Sequence, residues 1–436
     1  MISQTFQDAF CAEWIKTHVP NRTHDLILLR QLIPWQTIVD GLVPFYNPKK
    51  GRTGCDLRTL SAVSILARLR HLSDCKVIEH IQDNRYMQYF CNVPDQTLMT
   101  FMDPSTLCRF RKRVGPPGID LIENPVFTCL KQAGVIDDAM MLMDSTVLES
   151  PLLYPTDVTL LRKAFHKMAL LAAKRQIEPW WDEDQIKKLW RAYHLDKSKP
   201  LAYLAAFYLL FAPALERFAS YLDDLPEGFV KKRWHHLLEA LLILDEQTQL
   251  KLEGQLHLND RLVSLDDLDA RPIQKGKRHP KTEFGTTLQI TFNRQGFMIT
   301  TENFIGKPDD KTLYGPTLEL FCQRMALYPS GAVTDLGYRS AKNLKLSHDD
   351  LDYVFMGQSS DVDESHKESC ISARSATEGF IAVAKNLRGF GRSLYRGLKG
   401  TKIWTSLNQC AYNLKKFLQL YRSEALSEEA LMALRL

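Results

Sequence analysis

The 436-residue sequence is short of paired cysteines, of long apolar runs and of net charge, and each shortage excludes something. Its nine cysteines, at positions 11, 55, 75, 91, 108, 129, 322, 370 and 410, form no CxxC pair and are odd in number. That excludes a disulfide framework and leaves no legible zinc site; reduced thiols in a cytosolic protein fit better. The longest apolar run, Leu201 to Ala214, is too short to span a bilayer. The opening residues carry neither a basic segment before an apolar core nor a small-residue cleavage site. A soluble, cytoplasmic chain with no membrane partner is the expectation. Net charge is only +5, so any attraction for nucleic acid comes from local strips of charge and not from the total.

With 45% hydrophobic residues the chain has enough apolar material for two or three domains. The most uneven stretch runs from Ala373 to Lys402. It holds seven basic residues, Arg374, Lys385, Arg388, Arg392, Arg396, Lys399 and Lys402, and one acid, Glu378. Solvated faces normally mix both signs. As a helix, this stretch places Arg374, Glu378, Ile381 and Lys385 on one face. Glu378 there is either a ligand for a divalent cation among phosphate-gripping neighbours or half of a surface ion pair with Arg374, worth about 0.3–0.5 kcal/mol.

Residues 1–130 read as helices throughout. Asp56 starts one with apolar residues at helical spacing, Ser73-Asp74 caps the next, and Asp103-Pro104 opens a third that carries Arg109, Arg111, Lys112 and Arg113 and ends at Gly115-Pro116-Pro117-Gly118. Short helices with a basic terminal member suit either a helix-turn-helix-like DNA module or a plain bundle with a solvated basic face.

Residues 139–148 form an apolar run that meets Asp144, as a buried strand delivering a carboxylate would. Such an acid is either paired or bound to metal. From 158 to 258 the period is helical again, and Trp180, Trp181, Trp190 and Trp234 read as packing residues of a helical insertion. The period then changes to two: Glu283 to Phe292 and Phe297 to Phe304 flank a turn, as in a β-hairpin. Upstream, Arg271, Lys275, Lys277, Arg278 and Lys281 make a basic loop, for phosphate contact or merely as a solvated linker. A helix from Lys311, a strand ending at Asp335, a short helix and a strand from Asp352 to Met356 lead into the Glu378 helix. A last amphipathic helix spans Trp404 to Arg422.

Strand with Asp144, hairpin, helix, strand with Asp335, helix, strand, helix with Glu378: this is the order of an RNase H-like fold, in which the ends of the first and fourth strands are neighbours. The residues also resemble a bacterial insertion-sequence DDE transposase of the group with a Y-(2)-R-(3)-E-(6)-K signature. Arg374, Glu378 and Lys385 match it in identity and spacing, with Ile371 in the tyrosine place, while Asp144 in MDSTV and Asp335 in TDLGYRS match the first two acids. The PSTLCRFRKR segment resembles the DNA-binding region of such transposases.

The resemblance implies an α/β, RNase H-like mixed five-stranded sheet with an N-terminal all-helical domain and a helical insertion. The expected divisions are 1–130 for DNA binding, 131–157 with 259–400 for catalysis, 158–258 for the insertion and 401–436 for a C-terminal helix. Asp144, Asp335 and Glu378 would be the catalytic acids and would ligate two Mg²⁺ or Mn²⁺ ions. Arg374, Lys385, Arg388, Arg109, Arg111, Lys112 and Arg113 would contact double-stranded DNA. A homodimer would join two element ends, in the nucleoid of a prokaryotic cytoplasm. Glu149, Asp157 and Glu283 rank second, as caps or hydrogen-bond partners. Two other functions share these features: a transposase-derived DNA-binding protein without catalysis, and an RNase H-like nuclease.

Overall fold

The computed structural model describes residues 9–47, 54–95, 98, 101–137, 139–258, 260–274, 282–358 and 362–434. The chain is mixed α/β and divides into two compact units. One is Met1–Leu148, Thr287–Phe304 and Pro308–Leu436, the other Glu149–Thr286 and Ile305–Lys307.

In the first unit, seven α-helices precede the sheet among the described residues: α1 (Ala12–His18), α2 (Asp25–Leu32), α3 (Trp35–Leu42), α4 (Leu57–Leu69), α5 (Asp74–Asp83), α6 (Arg85–Cys91) and α7 (Pro104–Gln132). Polar caps set their starts. The side chains of Asp56, Ser73, Asn84 and Asp103 each accept from a backbone N–H in the following first turn. The Gly-Pro-Pro-Gly stretch does end a helical segment at Gly115, as expected, but a second segment starts at once, so α7 is two helices joined across a kink. Gly115, with φ 60° and ψ −172°, breaks the helical path, and the chain resumes helix at once. Pro116 and Pro117 fall where the new first turn leaves N–H groups without helical acceptors, so they cost little.

The sheet has six strands: β1 (Met141–Glu149), β2 (Arg271–Ile273), β3 (Glu283–Phe292), β4 (Met298–Ile305), β5 (Gly331–Thr334) and β6 (Tyr353–Met356). Their order is β2-β3-β1-β5-β6, with β4 also on β3. The β1–β5 and β5–β6 pairs are parallel and β2–β3 and β3–β4 antiparallel, so the sheet is mixed. The sixth strand is β2, which replaces part of the expected basic loop. Arg271 lies in it and pairs with Asp260, while Lys275, Lys277, Arg278 and Lys281 lie outside the described residues.

The central strands are covered on both faces, which is why they read as continuous apolar runs. Met141 and Met143 join one cluster with α7 and with α12 (Asp310–Met325). Leu142 and Val333 join another with Cys370, Ala373 and Ala384 of α14 (Glu364–Leu387). Between β5 and β6 lies α13 (Ala341–Asp350), and α15 (Gly397–Arg422) and α16 (Glu428–Ala433) close the chain.

The second unit is built on α8 (Asp157–Ala173), α9 (Glu183–Leu195), α10 (Pro200–Asp223) and α11 (Phe229–Leu252). Phe165, Phe207, Phe211, Phe218 and Trp234 fill its core, with the Phe218 and Trp234 rings stacked at 4.5 Å. Asp157 forms ion pairs with Lys251 and Arg261. At 24 residues α10 runs on past Pro213. Among the described residues it is the single helix long and apolar enough to cross a membrane, which corrects the length read from Leu201 to Ala214.

Candidate active site at the ends of the central strands

Asp144 is the fourth residue of β1, and the strand register positions it. Met141 faces Ala332 and Leu142 faces Val333, an offset of 191 residues that, if extended two positions past the paired residues, leads from Asp144 towards Asp335. Adjacent strands lie about 4.8 Å apart. Leu142 and Val333 both face α14, so alternation sends Asp144 to the same side. There α14 delivers Arg374, whose Nη1 lies 3.5 Å from Asp144 Oδ2 and whose Nη2 lies 3.5 Å from Glu378 Oε1. One guanidinium thus spans two carboxylates. The Asp144 side chain is 15% exposed and that of Glu378 70%, so Asp144 is the floor of the site and Glu378 its mouth. Arg374 Nη1 makes no hydrogen bond and is held by charge alone.

Asp335 follows β5 directly. Its Oδ1 accepts from the Gly337 N–H at 3.0 Å, which holds the carboxylate at the strand end. A fourth acid, absent from the sequence reading, joins it. Asp310, the first residue of α12, accepts from Ser145 Oγ at 2.9 Å. A Cβ placed on Gly337 would stand 3.1 Å from both Asp310 Oδ2 and Asp335 Oδ1, so the two carboxylates approach from either side of a glycine. The segment PDDK reads as a helix cap, and Asp309 does cap α12 by accepting from the Lys311 N–H. One cap needs one acid; the second Asp was the signal.

Beneath these acids Tyr338 is fully buried and donates to Gln289 Oε1 at 2.8 Å. Burial first, and then the charges of Asp310 and Asp144, push its phenol far above the ordinary range, so it stays a neutral donor. Among the described residues no group of three His, Cys, Asp or Glu is already gathered as a metal site; Arg374 sits between Asp144 and Glu378.

The basic residues expected to face DNA are distributed unevenly. Arg109, Lys112 and Arg113 are exposed on α7; Arg109 donates to Ser105 Oγ, and the Arg113 guanidinium lies 4.6 Å from the Tyr46 ring centre. Arg111 is not among them. It is 8% exposed, pairs with both Asp74 oxygens and stacks over Tyr395, because it shares the inward face with Leu107 and Val114. Arg374 is turned to the acids, and Lys385 and Arg388 are half-buried further along α14.

Residues 13–113, under a quarter of the chain, are similar to the family described as Transposase domain (DUF772). A Rhizobium meliloti protein, described as "Uncharacterized protein ORF8 in nfe locus", is 30% identical over 161 residues, 36% of this chain and 77% of that protein. The chain belongs to the same family as that Rhizobium protein. No solved structure matches the chain.

Proposed function

We propose that the chain is a DDE transposase that hydrolyses the DNA at the ends of its element and joins the freed 3′-hydroxyl to target DNA. The observation that carries this reading is the Arg374 guanidinium, which lies 3.5 Å from both Asp144 and Glu378, and the parallel β1–β5 register, which leads towards Asp335 when it is extended past the paired residues, supports it. The strand order β4-β3-β1-β5-β6, with parallel pairs on one side of β1, supports an RNase H-like sheet.

The donor set is all carboxylate oxygen, which suits Mg²⁺ or Mn²⁺ and not a thiolate-seeking metal. Asp144 would be shared by two such ions, with Asp335 and Glu378 each completing one. What the pair supplies when bound is charge stabilisation on the attacking and leaving oxygens of an in-line displacement. The chain's own groups do the rest. Tyr338 and Ser145 hold the floor beneath the acids, the absence of a side chain at Gly337 lets Asp310 and Asp335 both approach it, and Arg374 turns from the acids towards a backbone phosphate as DNA enters. Water opens the phosphodiester first; the released 3′-hydroxyl is the second nucleophile, and no covalent protein intermediate is needed. Joining two ends calls for a homodimer in the synaptic complex.

The test is cleavage of element-end DNA with Mg²⁺ or Mn²⁺. Glu378→Gln should lose about a hundredfold or more in rate, as losing a charged ligand removes about 3 kcal/mol of transition-state stabilisation, while gel-shift affinity holds. Undiminished cleavage by this variant would sink the metal assignment. Gly337→Ala is a finer probe. Its methyl must displace one of the two carboxylates, so cleavage should fall about tenfold with an unchanged melting temperature; wild-type cleavage would show that the Asp310–Asp335 spacing is irrelevant.

A further inference from the structure

A second group of charged residues lies away from the carboxylates. In the first unit, an open cleft of ≈ 460 Å³ is lined by Asp25 at the start of α2, Arg70 just after α4, and Tyr421 and Arg422 at the end of α15, among others. Helix α4 closes with the His71 N–H donating to the Arg68 carbonyl and the Leu72 N–H to the Ala67 carbonyl. His71 has φ 55°, a left-handed conformation usually given to glycine at this place. The turn sets the imidazole between two other helices. Its Nε2 is 3.2 Å from Lys415 Nζ on α15, and the ring bonds the Leu387 carbonyl at the end of α14. An imidazole that accepts from an ammonium and donates to a carbonyl is neutral and fixed in one tautomer. Burial, then the charges of Lys415, Arg388 and Arg68, lower its pKa to about 4.

The Lys415 ammonium is therefore held on a short tether among cations. Burial first, then Arg388 and Arg70, bring its pKa down to about 8, and Asp25 acts in the other direction. Asp25 is itself engaged by Arg422 at 2.5 Å. Arg70, Arg388, Lys415 and Arg422 thus come from three helix segments to one place, with Asp25 as the opposing carboxylate. Crowding like charges this way works against the fold, and an anion relieves it.

We propose that this cationic group, with Arg70 on the lining of the cleft and His71, Lys415 and Arg388 outside that lining, binds the phosphodiester backbone of duplex DNA, with Arg70, Lys415 and Arg388 contacting phosphates and His71 aiming the Lys415 ammonium. Cations drawn from separate helix ends, two of them on the lining of an open cleft, match the repeated charge of a polymer better than a single small anion. The site rests on the proposed reading of DNA as the partner and is independent of the carboxylate chemistry.

The experiment is a fluorescence-polarisation titration of the full chain with a labelled duplex, without divalent cations, over a range of NaCl concentrations. Lys415→Gln and Arg70→Gln should each weaken binding several-fold at low salt. Each should also flatten the plot of log affinity against log salt by about 0.9, the value for one phosphate contact. Stability supplies the separate readout. The folded pKa of Lys415 lies below its unfolded value of 10.5, so the charged ammonium disfavours the native state below about pH 8, and stability recovers as pH rises from there towards 10.5. Lys415→Gln should thus melt at or above the wild-type temperature at neutral pH while binding DNA more weakly.

An unchanged salt slope in both variants overturns the site. So does a Lys415→Gln protein that loses binding and melting temperature together, which marks a packing residue. Displacement of the duplex by inorganic phosphate at matched ionic strength would assign the cleft to a free anion and overturn the backbone reading. A catalytically inert wild-type protein that still shows these slope changes would separate the failure of the cleavage reading from the failure of this one.

Discussion

Asp144→Asn should abolish cleavage of element-end DNA, by about a thousandfold or more, with duplex affinity and melting temperature nearly unchanged. Asparagine keeps the shape and removes the charge. The acid it replaces is far less exposed than Glu378 and is the one assigned to both cations, so its loss forfeits several kcal/mol of transition-state stabilisation, tenfold in rate for each 1.36 kcal/mol. The fold should tolerate the change, because the Arg374 contact it weakens is 3.5 Å long and not a close hydrogen bond. The check is single-turnover cleavage of a labelled end duplex beside a gel shift and a thermal melt. Cleavage at the wild-type rate would remove Asp144 from the chemistry, and a collapsed melt would make it a structural residue.

The acids stood out in the sequence for different reasons, and only Asp335 sits where one element hands over to the next. Asp144 interrupts an apolar run and lies inside β1, Asp335 follows a short strand, and Glu378 is the one acid of the basic stretch Ala373 to Lys402, although its helix begins earlier and also carries Glu364 and Glu368. What spacing could not give was their company. Asp310 was hidden by its place at a helix start, where carboxylates are common for an unrelated reason. Arg111 looked like its basic neighbours on α7, but one residue is a 100° turn of a helix, enough to take a side chain from solvent to the Asp74 carboxylate. Strand β2 escaped notice because three residues, one of them Pro272, carry no period. The break at Gly115 was visible, but the immediate restart was not, since Pro-Pro signals a stop after a helix and a start before one. The cationic cleft was the least legible of all. Its members lie in four stretches of chain from Asp25 to Arg422, and only packing brings them together.

The largest effect on stability should come from Arg324→Met, about 3–5 kcal/mol, the cost of leaving a buried charge unpaired. Near the C-terminal end of α12, Arg324 donates to both oxygens of Glu123 on α7 and to Asn124, with its guanidinium 4.2 Å from the Phe127 ring centre. Glu123 is 3% exposed. Burial raises its pKa above 4.5 more than Arg324 lowers it, and without Arg324 the rise is larger. A carboxyl whose folded pKa exceeds its unfolded one favours the native state at low pH and disfavours it as pH climbs through the folded value. The variant's loss of melting temperature should therefore be greater at about pH 8 than at about pH 5, and Glu123→Gln should restore part of it by removing the stranded charge. Thermal melts at both pH values decide the matter: an equal loss at each would mean that packing over Phe127, and not the ion pair, is what Arg324 contributes. Helix α12 is about 24 Å long, and Asp310 stands at its other end. Cleavage per folded molecule should then survive Arg324→Met at low temperature, because an anchor at one end of a rigid helix sets how long the fold persists and not where its first carboxylate points.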